Sequence, residues 1–140
     1  MSLSYTIDRE QQVVRTRGWG SISASEVRDW ISHLLADPLF DPCYRELSDL
    51  RSVTEVTVGS MELAEAAATP LFDACALRAV VATSDCVFGM ARMFASFAER
   101  MGHQVRVFRC MDLAEAWLGL RIDPAGGAPN AEVGCEPLAA

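Results

Sequence analysis

Lysine is missing from the 140-residue chain: all 12 basic residues are arginine, set against 19 acids for a formal charge of −7. A protein that tracks nucleic acid or an anionic membrane surface needs a basic stripe, so neither is expected as a partner. Long apolar runs are missing too. None approaches the ~20 residues that cross a bilayer, and the first eight residues lack the basic and then apolar regions of a secretory leader. Histidine is limited to His33 and His103, read as solvent-edge residues, far apart and in no zinc-ligand spacing, which points to no metal and no cofactor. The five cysteines, Cys43, Cys75, Cys86, Cys110 and Cys135, are odd in number and include no CxxC pair. That usage points to a reducing, cytoplasmic compartment.

What is there is an ordinary globular composition, 51% apolar and 22% charged, which argues against disorder for most of the chain. Its length suits one domain burying roughly 68–70% of its unfolded surface. Tyr5 and Ile7 alternate with polar neighbours, Gln11 and Gln12 supply a turn, and Val13 to Arg17 returns, which predicts a hairpin. Ser23, Ala24, Ser25 and Glu26 have the form of a capping box. Val27, Trp30, Ile31, Leu34 and Leu35 then make the apolar stripe of a helix that Asp37-Pro38 ends. Tyr44 to Leu50 reads as a strand, and Ser60 as the cap of a helix carrying Met61, Leu63, Ala64 and Ala67, broken at Pro70.

Leu77 to Thr83 is almost continuously apolar, as befits a central parallel strand covered on both faces. Ser84 or Asp85 caps the next helix, whose Val87, Met90, Ala91, Phe94, Phe97 and Met101 share one side, and Gly102 stops it. Val105 and Val107 mark a half-buried strand, and Asp112 opens a last helix burying Leu113, Trp117 and Leu118. These elements give a single domain over 1–119, followed by a proline- and glycine-rich flexible tail over 120–140.

The element order, with Asp49-Leu50-Arg51-Ser52-Val53-Thr54, Ala79-Val80-Val81-Ala82-Thr83-Ser84-Asp85, Phe88-Gly89-Met90-Ala91-Arg92-Met93-Phe94, Val105-Arg106-Val107-Phe108-Arg109 and Ala114-Glu115-Ala116-Trp117-Leu118, resembles the SpoIIAA-like (STAS/SEC14-like) proteins. The resemblance covers roughly residues 5–119. It implies an α/β fold, a mixed sheet of about five strands flanked by about four helices, in a mostly uncharacterised family. In anti-sigma antagonists of this fold, a serine in an Asp-Ser-x-Gly turn is phosphorylated, and the added charge repels an acidic partner. Laid ungapped from Asp49, this chain offers Thr57-Val58-Gly59-Ser60, so the acceptor and its neighbour fall on Val58 and Gly59, which have no hydroxyl. Ser60 and Thr57 remain as substitute phospho-acceptors, although helix capping alone explains a serine at position 60 and is the preferred reading of it.

Several other constellations carry two readings each. Where the Leu77–Thr83 strand meets its helix, Ser84, Phe88 and Arg92 are candidates to border a ligand or partner site, while Asp85 already caps the positive helix end. Cys86, in the first turn, is placed for a lowered thiol pKa, yet it has no visible base and Asp85 opposes a thiolate. Asp49 and Arg51 share a strand face and either bind something or fix a strand end. Met90, Met93 and Met101 with Phe88, Phe94 and Phe97 give one helix an adaptable apolar surface, suited to core packing, partner helices or lipid tails. The acids Glu62, Glu65 and Asp73 read as a solvated face.

The sequence and its resemblance therefore lead to the expectation of a non-enzymatic regulatory module that binds a protein partner, with self-association one form of that. The alternative, from the Sec14-like side of the resemblance, is a carrier holding a small apolar or lipid-like ligand between sheet and helix. An apolar cavity near Phe88 is the feature that favours the carrier.

Overall fold

The computed structural model describes residues 2–120. β1 (Leu3–Asp8) and β2 (Val13–Ser23) form the hairpin that the alternation predicts, with Asp8 Oδ1 accepting from the Gln11 N–H at 3.0 Å. They run antiparallel, Tyr5 opposite Thr16 and Ile7 opposite Val14. α1 (Ala24–Ala36) follows at once, and Ser23 caps it by accepting from the Glu26 N–H at 3.3 Å. Only this half of the predicted capping box forms; Glu26 Oε2 has no hydrogen-bond partner. Leu34 is wholly buried on α1, whereas Leu35, assigned to the same stripe by its spacing, is 53% exposed at the stripe's edge.

β3 (Arg45–Thr57) continues well beyond Leu50, where the sequence predicts its end, because β2 stays beside it. The two pair in parallel from Val13 opposite Arg45 to Ser23 opposite Thr57, across two register shifts. Gly18 lies in this region for a steric reason: a Cβ there would sit 2.9 Å from Leu50 Cδ2 and 3.0 Å from side chains of Ile22 and Val53. α2 (Ser60–Ala68) brings a correction. Its N-cap is Gly59, whose N–H is bound by Glu62 Oε1 at 3.0 Å, and Ser60 is the first helical residue rather than the cap.

β4 (Leu77–Val81), α3 (Asp85–Arg100), β5 (Gln104–Phe108) and α4 (Met111–Leu118) complete the chain. α3 ends as Gly102 predicts, with φ 85° and the His103 N–H reaching back to Ala98 O at 3.0 Å. α4 begins at Met111, one residue before Asp112, where the sequence predicts its start, and Cys110 is its N-cap. The sheet order is β1-β2-β3-β4-β5, with β2 to β5 parallel and β1 antiparallel. This is the expected mixed sheet of five strands with four helices.

Side chains alternate across each strand, so the two sheet faces carry separate cores. On one face Val13, Leu47, Ala79 and Val81 pack with Ala114 and Leu118 of α4. On the other, Val14 packs with Leu34 of α1 and with Leu71 and Phe72, while Ile22 and Val53 pack with Val87 of α3. Leu120 is buried in the α4 core although the sequence reading assigns it to the tail; the rest of that tail, 121–140, lies outside the described residues. Among the described residues no helix is long and apolar enough to cross a membrane.

Candidate ligand cavity

The sheet face beneath α1, α2 and α3 has an unusual floor. β2 contributes Thr16, β3 contributes Glu46 and Ser48, and β4 contributes Arg78, four polar side chains all more than nine-tenths buried. Register brings them together: Thr16 stands opposite Ser48, and Glu46 opposite Arg78. Arg78 Nε donates to Glu46 Oε1 at 2.9 Å. The guanidinium also lies 4.5 Å from the ring centroid of Phe72 and 5.4 Å from that of Phe94, so aromatic faces replace part of its lost hydration.

Above this floor the helices leave a cavity of about 150 Å³. Val27, Trp30 and Ile31 of α1 form one wall, and Val87, Met90, Ala91 and Phe94 of α3 form the other. It exists because α3 packs closely on α2, whereas α1 meets α2 only lightly and sits over β1 and β2. The lining is overwhelmingly apolar; Thr16, Trp30 and Glu46 are among its residues, and their Oγ1, Nε1 and Oε2 atoms are wholly buried without a hydrogen-bond partner among the described residues. Folded proteins leave few such groups unsatisfied, since each costs about 1–3 kcal/mol.

Ser84, Phe88 and Arg92 lie one residue round from the cavity row on α3, and none of the three lines the cavity. Ser84 is the N-cap, accepting from the Val87 N–H at 3.2 Å. Phe88 is half-buried beneath the Arg109 guanidinium, 4.2 Å from its ring, and Arg109 also reaches Asp85 at 2.8 Å and Thr83 O at 3.0 Å. Arg92 is exposed, as is Cys86. Thr57 donates its hydroxyl to Ile22 O at 3.3 Å, while the exposed Ser60 hydroxyl makes no hydrogen bond among the described residues.

The opposite sheet face is covered by α4 only over β3 to β5, leaving a shallow polar groove by Arg17, Asp49, Arg51, Ser52 and Thr83. Arg51 grips Asp49 with two parallel bonds, Nε to Oδ1 at 2.9 Å and Nη2 to Oδ2 at 3.0 Å. Burial works to raise the Asp49 carboxyl, but the Arg51 side-chain and backbone hydrogen bonds and the charges of Arg51 and Arg17 outweigh it and hold the group below its ordinary value. Nearby on α4, Glu115 is pushed up, chiefly by desolvation.

Two loops bring together residues that the sequence leaves apart. The ligand atoms of Cys43, Asp73 and Cys75 all lie within 4.8 Å of one another, a set with the chemistry to hold a thiophilic cation, though all three side chains are exposed. The Cys43 thiol donates to Asp73 Oδ2 at 3.0 Å; that bond, then burial and the charges of Asp73 and Asp41, push it up to about 12.

The Glu46–Arg78 floor escapes sequence reasoning: each strand carries a charge where the pattern is otherwise apolar or covered, but the pairing of the two is set by register. No protein-family model matches the chain, and no curated protein matches it. A solved structure does: an uncharacterised protein of the DUF3478 family with a SpoIIAA-like fold, from Shewanella loihica PV-4. The two share 13% identity with a TM-score of 0.58, over 84% of this chain and 94% of the other. The fold of this chain is thus SpoIIAA-like.

Proposed function

We propose that this chain is a non-catalytic binding module that holds a small, mostly apolar molecule between its sheet and helices α1 and α3. The observation that carries this is the apolar cavity of about 150 Å³ over the central strands. Clefts of this kind, mostly apolar with a few convergent polar groups, are the usual form of small-molecule sites. The size refines the carrier expectation: a cavity near 150 Å³ accommodates about one benzene ring, far less than a lipid tail. Native mass spectrometry of the gently purified chain tests it. An extra mass is expected that disappears on denaturation, and Ala91→Leu, which fills the cavity from α3, is expected to abolish it. A chain without extra mass, whose thermal midpoint small aromatic compounds do not move, defeats the reading.

A second reading, regulated protein binding, has one observation in its favour. Ser60 is exposed at the first position of α2 with its hydroxyl uncommitted. A phosphate there would add roughly −1.5 to −2 charges at a helix end that favours anions. Phosphopeptide mapping of wild type and Ser60→Ala tests it; absence of any modified peptide covering residues 57–60 ends it.

A further inference from the structure

Away from the cavity, three side chains meet where two loops come together. Cys43 lies in the loop before β3, while Asp73 and Cys75 lie in the loop before β4. These strands are parallel neighbours, so both loops reach the same end of the sheet. There the loops are tied to each other: the Asp73 N–H donates to Pro42 O at 2.9 Å, and the rings of Phe40 and Phe72 meet edge to face with centroids 5.2 Å apart. The two sulfur atoms and a carboxylate oxygen all lie within 4.8 Å of one another, and Cys43 Sγ stands 3.0 Å from Asp73 Oδ2. All three residues are exposed, so a cation from solvent reaches them.

The spacing and the ligand types suit one kind of ion. Zinc binds sulfur at about 2.3 Å and carboxylate oxygen at about 2.0–2.2 Å, so tetrahedral neighbours around it stand about 3.6–3.8 Å apart. The 3.0 Å contact and the 4.8 Å limit bracket that spacing. Calcium and magnesium take oxygen ligands, and two of these three are sulfur. Copper(I) favours soft sulfur and leaves Asp73 without a part. We propose that Cys43, Cys75 and Asp73 together bind one divalent cation of the zinc class, with water in the fourth position. Binding exchanges the two thiol protons, which pass to solvent, for the metal. The ion then clasps the entries of β3 and β4.

The test is a titration of the full, reduced chain with cobalt(II), followed by its absorption. One equivalent is expected to raise a thiolate-to-cobalt charge-transfer band together with the d–d bands of tetrahedral coordination, and zinc is expected to displace it. Cys43→Ser and Cys75→Ser, each a one-atom change on an exposed residue, are expected to abolish the charge-transfer band or weaken binding more than tenfold. Asp73→Asn is expected to weaken it about tenfold. Cys86→Ser, which alters an exposed free cysteine outside the cluster, is expected to change nothing. Zinc should raise the thermal midpoint of wild type by several degrees and leave that of Cys75→Ser where it is. Absence of the charge-transfer band in wild type overturns the proposal, as does a band that survives both cluster cysteine substitutions. Cobalt affinity unchanged in Asp73→Asn overturns the three-ligand site.

Discussion

Arg78 Nε and Glu46 Oε1 meet at 2.9 Å from opposed positions on adjacent parallel strands, with side chains only 8% and 3% exposed. A buried ion pair is a poor source of net stability, because stripping water from two charges offsets most of their attraction.

Removing one partner should therefore hurt more than removing both. Arg78→Met leaves Glu46 as an uncompensated buried carboxylate and is expected to destabilise by about 3–5 kcal/mol. The double variant Glu46→Leu/Arg78→Met is expected to recover most of that loss. Urea denaturation of the three proteins checks this, and a double variant no more stable than the single one would show that the pair itself holds the fold.

The cap assignments separate two serines that look alike in sequence. Ser84 accepts from the Val87 N–H at 3.2 Å, whereas Ser60 follows the true cap, Gly59. Ser84→Ala should cost about 1 kcal/mol and Ser60→Ala close to nothing. Matching losses at both positions in thermal unfolding would return Ser60 to a capping role and weaken the case for it as a phosphate acceptor.

These contrasts mark where the sequence is informative. Wherever the signal is local periodicity it reads true: Val80 and Val81 lie in a covered strand, and Val87, Ala91 and Phe94 share the inward face of α3. Ser84, Phe88 and Arg92 share the neighbouring face, because one residue is about 100° of helix. The site floor depends on register, not periodicity. Nothing within Arg45 to Leu50 or Leu77 to Val81 reveals that Glu46 will stand opposite Arg78, since parallel strands far apart in sequence choose their partners through tertiary packing. Cys43 and Cys75 meet for the same reason, each on a loop entering an adjacent strand.

Asp49 ties the polar groove to pH. Its carboxyl is held below the ordinary value, so its contribution to stability is present in full above that value and is lost as pH falls through the lowered folded one. The side chain is 25% exposed, which keeps the contribution at or below about 1 kcal/mol. Arg51→Ala is expected to move the Asp49 carboxyl resonance to titrate at higher pH and to remove this acid-side dependence. An Asp49 titration unchanged by the substitution would mean that Arg17, not Arg51, sets it.

Cys43 and Asp73 allow a chemical test of the two loops. The nucleophile in alkylation is the thiolate, and a Cys43 thiol pushed up to about 12 is almost wholly protonated at pH 8. Iodoacetamide labelling at that pH, followed by peptide mapping, should therefore find Cys43 modified slowly. Asp73→Asn removes the charge that lies 3.0 Å from the sulfur and is expected to speed labelling of Cys43 about tenfold or more. Zinc added to the wild type should slow labelling of Cys43 and Cys75 together if the three side chains share a cation, because a bound thiolate is no longer free to attack. Protection of neither cysteine would leave the cluster as a hydrogen-bonded loop contact whose work is to hold the entries of β3 and β4 side by side.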